Sequence, residues 1–82
     1  MFELIFSKEA KDFLDKLDNS IKSRILKKIK QLETEPELGK PMTAQLAGFR
    51  SLRIGDYRAI YNIIQGKLII SVIKIGHRKN VY

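Results

Sequence analysis

Residues 49–75 read FRSLRIGDYRAIYNIIQGKLIISVIKI, three apolar runs rich in β-branched and aromatic side chains, parted by two short polar breaks. Such runs favour extended backbone, and breaks built on Gly55-Asp56 and Gln65-Gly66-Lys67 are short enough to reverse the chain as hairpins. The segment is therefore expected to form a three-strand antiparallel meander: Phe49 to Ile54, Tyr57 to Ile64 and Leu68 to Ile75. In the last run Leu68, Ile70 and Val72 fall on one face, and Ile69, Ile73 and Ile75 on the other. Apolar residues on both faces suit a central strand, placed beside the opening strand of the chain.

Upstream, Phe2, Leu4 and Phe6 alternate with Glu3 and Ile5, a period of two that predicts a first strand with its even residues toward the core. Ser7 is a natural N-cap, and Ala10, Phe13, Leu14 and Leu17 follow at helical spacing. Asp18-Asn19-Ser20 forms a second capping cluster. After it Ile21, Ile25, Ile29 and Leu32 recur along a longer helix whose other faces carry Lys22, Lys27, Lys28 and Lys30. Two amphipathic helices with so short a connection predict an antiparallel hairpin, its joined stripes on one face of the sheet and its lysines outward. Glu35-Pro36, Gly39 and Pro41 then break the periodicity and predict a loop of about ten residues. The expected fold is a single α+β domain over residues 1–82: an antiparallel twisted β-sheet packed against an N-terminal α-helical hairpin, in the order β-α-α-β-β-β.

Sixteen Lys and Arg against nine Asp and Glu give a formal charge of +7. That favours a polyanionic partner, nucleic acid or an acidic protein segment, although surplus surface lysines that keep a small domain dispersed give the same number. With no cysteine and a single histidine, His77, the chain lacks the donors of ordinary metal sites, so neither a metal nor a cofactor is expected. The longest apolar stretches are too short to span a bilayer and no secretory signal opens the chain, so a soluble cytoplasmic protein with no membrane partner is expected. A Gly-rich phosphate loop, an HExxH pair and a recognisable nucleophile motif are all missing.

The placement of charge says more than its sum. Arg50, Arg53, Arg58 and Arg78 lie in the strand-forming half, whereas the helical half carries lysines and one arginine, Arg24. Arginine binds phosphate through a planar fork, so a sheet face that gathers several beside Tyr57, Tyr61 or Tyr82 could hold an RNA backbone and stack a base. Pairing of the same arginines with Glu3, Asp56 or helix carboxylates is the alternative. His77 is the one side chain whose ordinary pKa lies near neutrality, and it directly precedes Arg78.

Residues 46–61, LAGFRSLRIGDYRAIY, and residues 75–82, IGHRKNVY, resemble the signature and the closing segment of the RelE/ParE toxin superfamily, RelE-type messenger-RNA interferases in particular. The resemblance covers essentially the whole chain. It implies a toxin of a type II toxin-antitoxin system that enters the ribosomal A site and cuts messenger RNA without a metal. In that reaction the 2′-hydroxyl attacks the adjacent phosphate, leaving a 2′,3′-cyclic phosphate and a 5′-hydroxyl. By the same resemblance Arg58 and Arg78 hold and stabilise the phosphate, Tyr82 stacks on or positions the nucleotide, His77 serves proton transfer, and Arg53 and Arg50 bind RNA. A RelB-like antitoxin is the implied protein partner. Phe49 and Ser51 stand where some members carry a pair of lysines, which leaves the general base unassigned. Two other functions use the same scaffold: a ParE-like poison of DNA gyrase, and a catalytically silent RNA- or protein-binding module.

Overall fold

The computed structural model describes residues 1–79. Its elements are β1 (Glu3–Phe6), α1 (Lys8–Asp15), α2 (Asn19–Lys30), β2 (Lys40–Pro41), β3 (Arg50–Ile54), β4 (Tyr57–Ile64) and β5 (Ile69–His77), with 3₁₀ turns at Gln31–Glu33, Ala44–Leu46 and Gln65–Lys67. The strands form one sheet in the order β1-β5-β4-β3-β2. The α+β architecture, the helical hairpin and the central place of β5 are as the periodicities predict. The sheet itself is mixed, because β1 pairs with β5 in parallel while every other pairing is antiparallel. The two-residue strand β2, expected as loop, forms the far edge. Pro41 fits there because an edge position does not require its missing N–H.

Both helices begin where a side chain can accept the free N–H groups of the first turn. Ser7 accepts from the Ala10 amide at 3.1 Å. Asp18 accepts from Ser20 and Ile21, at 2.9 and 3.2 Å. The Ile21 amide, then the Ser20 hydroxyl, hold the Asp18 carboxyl below its usual pKa. From α1, Ala10 and Leu14, and from α2, Ile25 and Ile29, are buried with Leu32 against Leu52, Ile54, Ala59, Tyr61, Ile70, Val72 and Ile75 of the sheet. Each fully buried aliphatic side chain contributes about 1.5–3 kcal/mol relative to exposure, so this one layer between hairpin and sheet is the main stabilising term.

The core also shows where simple alternation fails. Tyr61 pairs with Val72 and Ile60 with Lys74, so Ile73 has no partner on β4 and forms a β-bulge. Uninterrupted alternation from Ile70 and Val72 would turn Lys74 into the core. With the bulge Ile75 takes that place, and Lys74 reaches Glu9 at 3.7 Å. The sequence reading set Ile75 on the face opposite Ile70 and Val72; the extra residue brings all three together. Ser7 holds this irregularity. Its amide donates to the Val72 carbonyl at 3.0 Å, and its hydroxyl donates to the Ile73 carbonyl at 2.8 Å while accepting from Ala10.

Ser7→Ala removes the helix cap and leaves the Ile73 carbonyl without its donor. The expected loss is about 2 kcal/mol of unfolding free energy, a cap and a hydrogen bond together, read as a lower urea midpoint at an unchanged slope. Ser7→Thr, which keeps the hydroxyl, should lose less than half as much.

Candidate functional site

The hairpin at Gly55-Asp56 fixes the central feature. Gly55 adopts φ +58°, which a tight turn supplies most readily with glycine, and the register it sets pairs Ile54 with Tyr57 and Arg53 with Arg58. Tyr57, like Leu52, Ala59 and Tyr61, belongs to the face packed on the helices. Arg53 and Arg58 therefore share the opposite face, as do Ser51 and Ile60. Their pairing gathers two positive charges on one patch of this face. Arg53 is exposed, its Nε only 3.5 Å from the Gly55 carbonyl, and among the described residues it forms no ion pair. Arg58 is half-buried and stands opposite Gly76 on β5.

A cleft of about 650 Å³ opens where these arginines meet the edge of the sheet, walled by Leu38, Met42 and Leu46. The segment that forms this wall is held from beneath. Tyr61, fully buried, donates to the Pro36 carbonyl at 2.7 Å and accepts from the Gly39 amide at 2.9 Å. Arg50 donates to the Gly39 and Glu37 carbonyls, at 2.6 and 3.3 Å. Gly39 sits so close that a Cβ would lie 2.8 Å from Tyr61 Cε1 and 2.9 Å from the Ser51 carbonyl oxygen, a contact no larger residue can make without displacing backbone. Burial raises the Tyr61 pKa above its ordinary value near 10, against the opposing effect of the Gly39 hydrogen bond.

The residues singled out from sequence thus divide. Arg53 and Arg58 come together on the helix-free face. Arg50 does not join them, because it pairs with Tyr61 on the helix side and its guanidinium is engaged by the loop. His77 pairs with Tyr57, and the two rings make an edge contact at 5.9 Å, with Phe13 on the far side of Tyr57 at 6.1 Å. His77 therefore lies on the helix side of the sheet, away from Arg58. Arg78 follows the end of β5 in a turn, where its amide donates to the Asp56 carbonyl at 2.9 Å. Tyr82 lies outside the described residues. The wall built by Tyr61 and Gly39 escaped the sequence reading; its one signal was Gly39 isolated between two prolines. Among the described residues no group of His, Cys, Asp and Glu could hold a metal ion, and no helix is long and apolar enough to cross a membrane.

Comparison with known proteins follows the same lines. Residues 4–82 match the family described as ParE toxin of type II toxin-antitoxin system, parDE. Toxin RelG of Mycobacterium tuberculosis is 36% identical over 52 residues, which is 62% of this chain and 60% of RelG's own length. A RelE-like toxin protein of Escherichia coli is 29% identical over 83 residues, 95% of this chain and 84% of that protein. In the crystal structure of the toxin-antitoxin complex RelBE2 of Mycobacterium tuberculosis, a chain 30% identical superposes with a TM-score of 0.85, covering 94% of this chain and 98% of that one.

A titration isolates Tyr61. Its phenol stays protonated in the folded state where an unfolded tyrosine ionises, so its contribution to stability is complete below pH 10 and lost as pH rises through the higher folded value. In a spectrophotometric titration one of the three tyrosines should ionise after the others, and Tyr61→Phe should remove that late step. The same variant leaves the Gly39 amide without its acceptor and should cost about 1–3 kcal/mol, with faster hydrogen exchange at Gly39.

Proposed function

This chain belongs to the ParE toxin family of type II toxin-antitoxin systems, within the RelE/ParE superfamily, and from that premise we propose that it is an endoribonuclease which cuts messenger RNA in the ribosomal A site. The observation that carries the proposal is the cross-strand pair Arg53–Arg58 on the helix-free face. A phosphodiester placed between two guanidiniums removes their mutual repulsion and gains charge-assisted hydrogen bonds from both. The same pair is better matched to the transition state than to the substrate. As the 2′-oxygen attacks phosphorus, a dianionic phosphorane forms, and fixed positive charge stabilises that extra negative charge most. The phosphorus–5′-oxygen bond then breaks, giving a 2′,3′-cyclic phosphate and a 5′-hydroxyl.

Arg58 and Arg78 take the phosphate in this scheme, Arg53 holds the approaching strand, and Tyr82 stacks on a neighbouring base. The strand positions flanking Arg58 are Arg53 and Gly76, neither of them a proton acceptor at neutral pH. The face itself thus supplies electrostatic stabilisation, and deprotonation of the 2′-hydroxyl falls to the ribosome-bound environment. That assignment predicts cutting on the ribosome in preference to free RNA. A RelB-like antitoxin is the partner that silences the toxin, as in the complex to which the chain is similar. Its acidic residues would complement the +7 charge.

A second reading has one observation in its favour. His77 packs against Tyr57 on the helix side, which takes the expected proton-transfer group away from Arg58 and fits a toxin that arrests its target by binding, as a gyrase poison would.

Purified toxin mixed with messenger alone and with programmed ribosomes separates these readings. Cutting confined to ribosomes, with 2′,3′-cyclic ends, is the expected result. Arg58→Ala and Arg78→Ala should each lower the single-turnover rate by about 10²–10³, the effect of removing one preorganised stabilising group, whereas His77→Ala should change it by less than about tenfold. Folded protein that arrests growth, cuts neither mixture and inhibits DNA supercoiling would overturn the nuclease reading in favour of the second.

A further inference from the structure

Three cations other than Arg53 and Arg58 line one side of the domain. On α2, Arg24, Lys27, Lys28 and Gln31 recur at i, i+3, i+4 and i+7, so they form a single stripe. That stripe borders a second cleft, of about 380 Å³, whose opposite wall is Arg53, Ile54 and Gly55. Lys28 and Arg53 line both this cleft and the larger one that contains Arg58. The two clefts are therefore joined, and a groove runs from Arg58 around the edge of β3 onto the outer surface of α2. Strand β2 leaves this edge uncovered, because it pairs only with Arg50 and Ser51.

Helix α2 carries five cations and no carboxylate. Among the described residues the ion pairs are Lys8–Asp12, Lys22–Asp15, Arg50–Glu37 and Lys74–Glu9, so Arg24, Lys27 and Lys28 take part in none. Attraction to the carbonyl end of the helix accounts for Lys27 and Lys28, which lie in the last turn. It accounts neither for Arg24, a turn and a half from that end, nor for Arg53 on a different element.

We propose that this groove is a second, sequence-independent binding track for the phosphodiester backbone of the same RNA strand whose phosphate sits between Arg53 and Arg58. Two observations select that occupant. The groove is continuous with the phosphate site through Arg53. The Cβ atoms of neighbouring stripe positions stand about 5–6 Å apart, so their long side chains can reach successive phosphates of an extended strand. The inference rests on the RNA-binding part of the proposed function and does not require that cleavage occur.

Binding of fluorescent 2′-O-methyl oligouridylates, a trimer and an octamer, to the full chain measures the track directly. Without a free 2′-hydroxyl neither probe can be cut, so activity does not enter the result. The octamer is expected to bind more tightly than the trimer and with a steeper salt dependence. The triple variant Arg24→Gln, Lys27→Gln, Lys28→Gln keeps good helix formers at exposed and half-exposed positions, and its circular dichroism and melting check the fold. With about 0.7 counterions released per single-strand phosphate contact, losing three contacts should flatten the octamer's slope by about two and weaken it about a hundredfold at 0.1 M salt, with a far smaller effect on the trimer. An octamer that gains nothing over the trimer, or a folded triple variant with an unchanged slope, would overturn the track while leaving the phosphate site intact. Failure of both probes to bind would overturn the RNA reading itself. If wild-type protein prefers an octaglutamate peptide and the triple variant loses that binding alone, the groove serves an acidic protein and the proposal is wrong.

Discussion

A single hydroxyl group sets the phase of the sheet. Ser7 stands where β1 ends and α1 begins, and its side chain caps the helix and satisfies the one carbonyl that the β5 bulge leaves over. The energy involved is about 2 kcal/mol, small beside the burial of the core but a sizeable part of the 5–15 kcal/mol that keeps a domain folded. Its consequence is geometric. Side chains alternate with a period of two, so one added residue exchanges the faces of everything after it. Upstream of Ile73 the even residues face the helices; downstream Ile75 and His77 do. The bulge thereby sends His77 to Tyr57.

Most of the secondary structure was legible because it follows from periodicity and capping. Ser7 and Asp18 announce their helices, and the Gly55-Asp56 turn fixes the register that brings Arg53 against Arg58. What escaped depends on long-range contacts. Strand β2 has two residues, one of them proline, and pairs because Tyr61 and Arg50, remote in sequence, hold the preceding loop in place. The bulge carries no glycine; its only local trace is Lys74, which strict alternation would have buried. Arg50 is a different matter. Three residues before Arg53 on one strand, it must face the other way, and parity alone was enough to separate the two.

The loop and the arginines belong to one construction. Tyr61 faces the helices, yet its hydroxyl reaches past the edge of β3 to hold Pro36 and Gly39, and the segment so held becomes the wall of the cleft in which Arg53 and Arg58 open. A buried tyrosine on one side of the sheet thus shapes the site on the other. Glycine at position 39 is what allows it, since any Cβ there would strike the ring or the Ser51 carbonyl.

The site is built on strands, not on a mobile loop, and this bears on the kind of catalysis open to it. Arg53 and Arg58 stand at paired positions of a sheet, so the backbone beneath both guanidiniums is fixed before any anion arrives. In the proposed function a phosphodiester binds both side chains, and such fixed anchoring leaves little reorganisation for the transition state. Fixed positive charge of this kind stabilises a phosphorane but cannot remove the proton from the attacking hydroxyl, because arginine does not give up its own proton near neutral pH. A face that offers charge without a base gains its full effect only where a partner supplies the base and holds the 2′-oxygen in line. In the proposed function that partner is the ribosome.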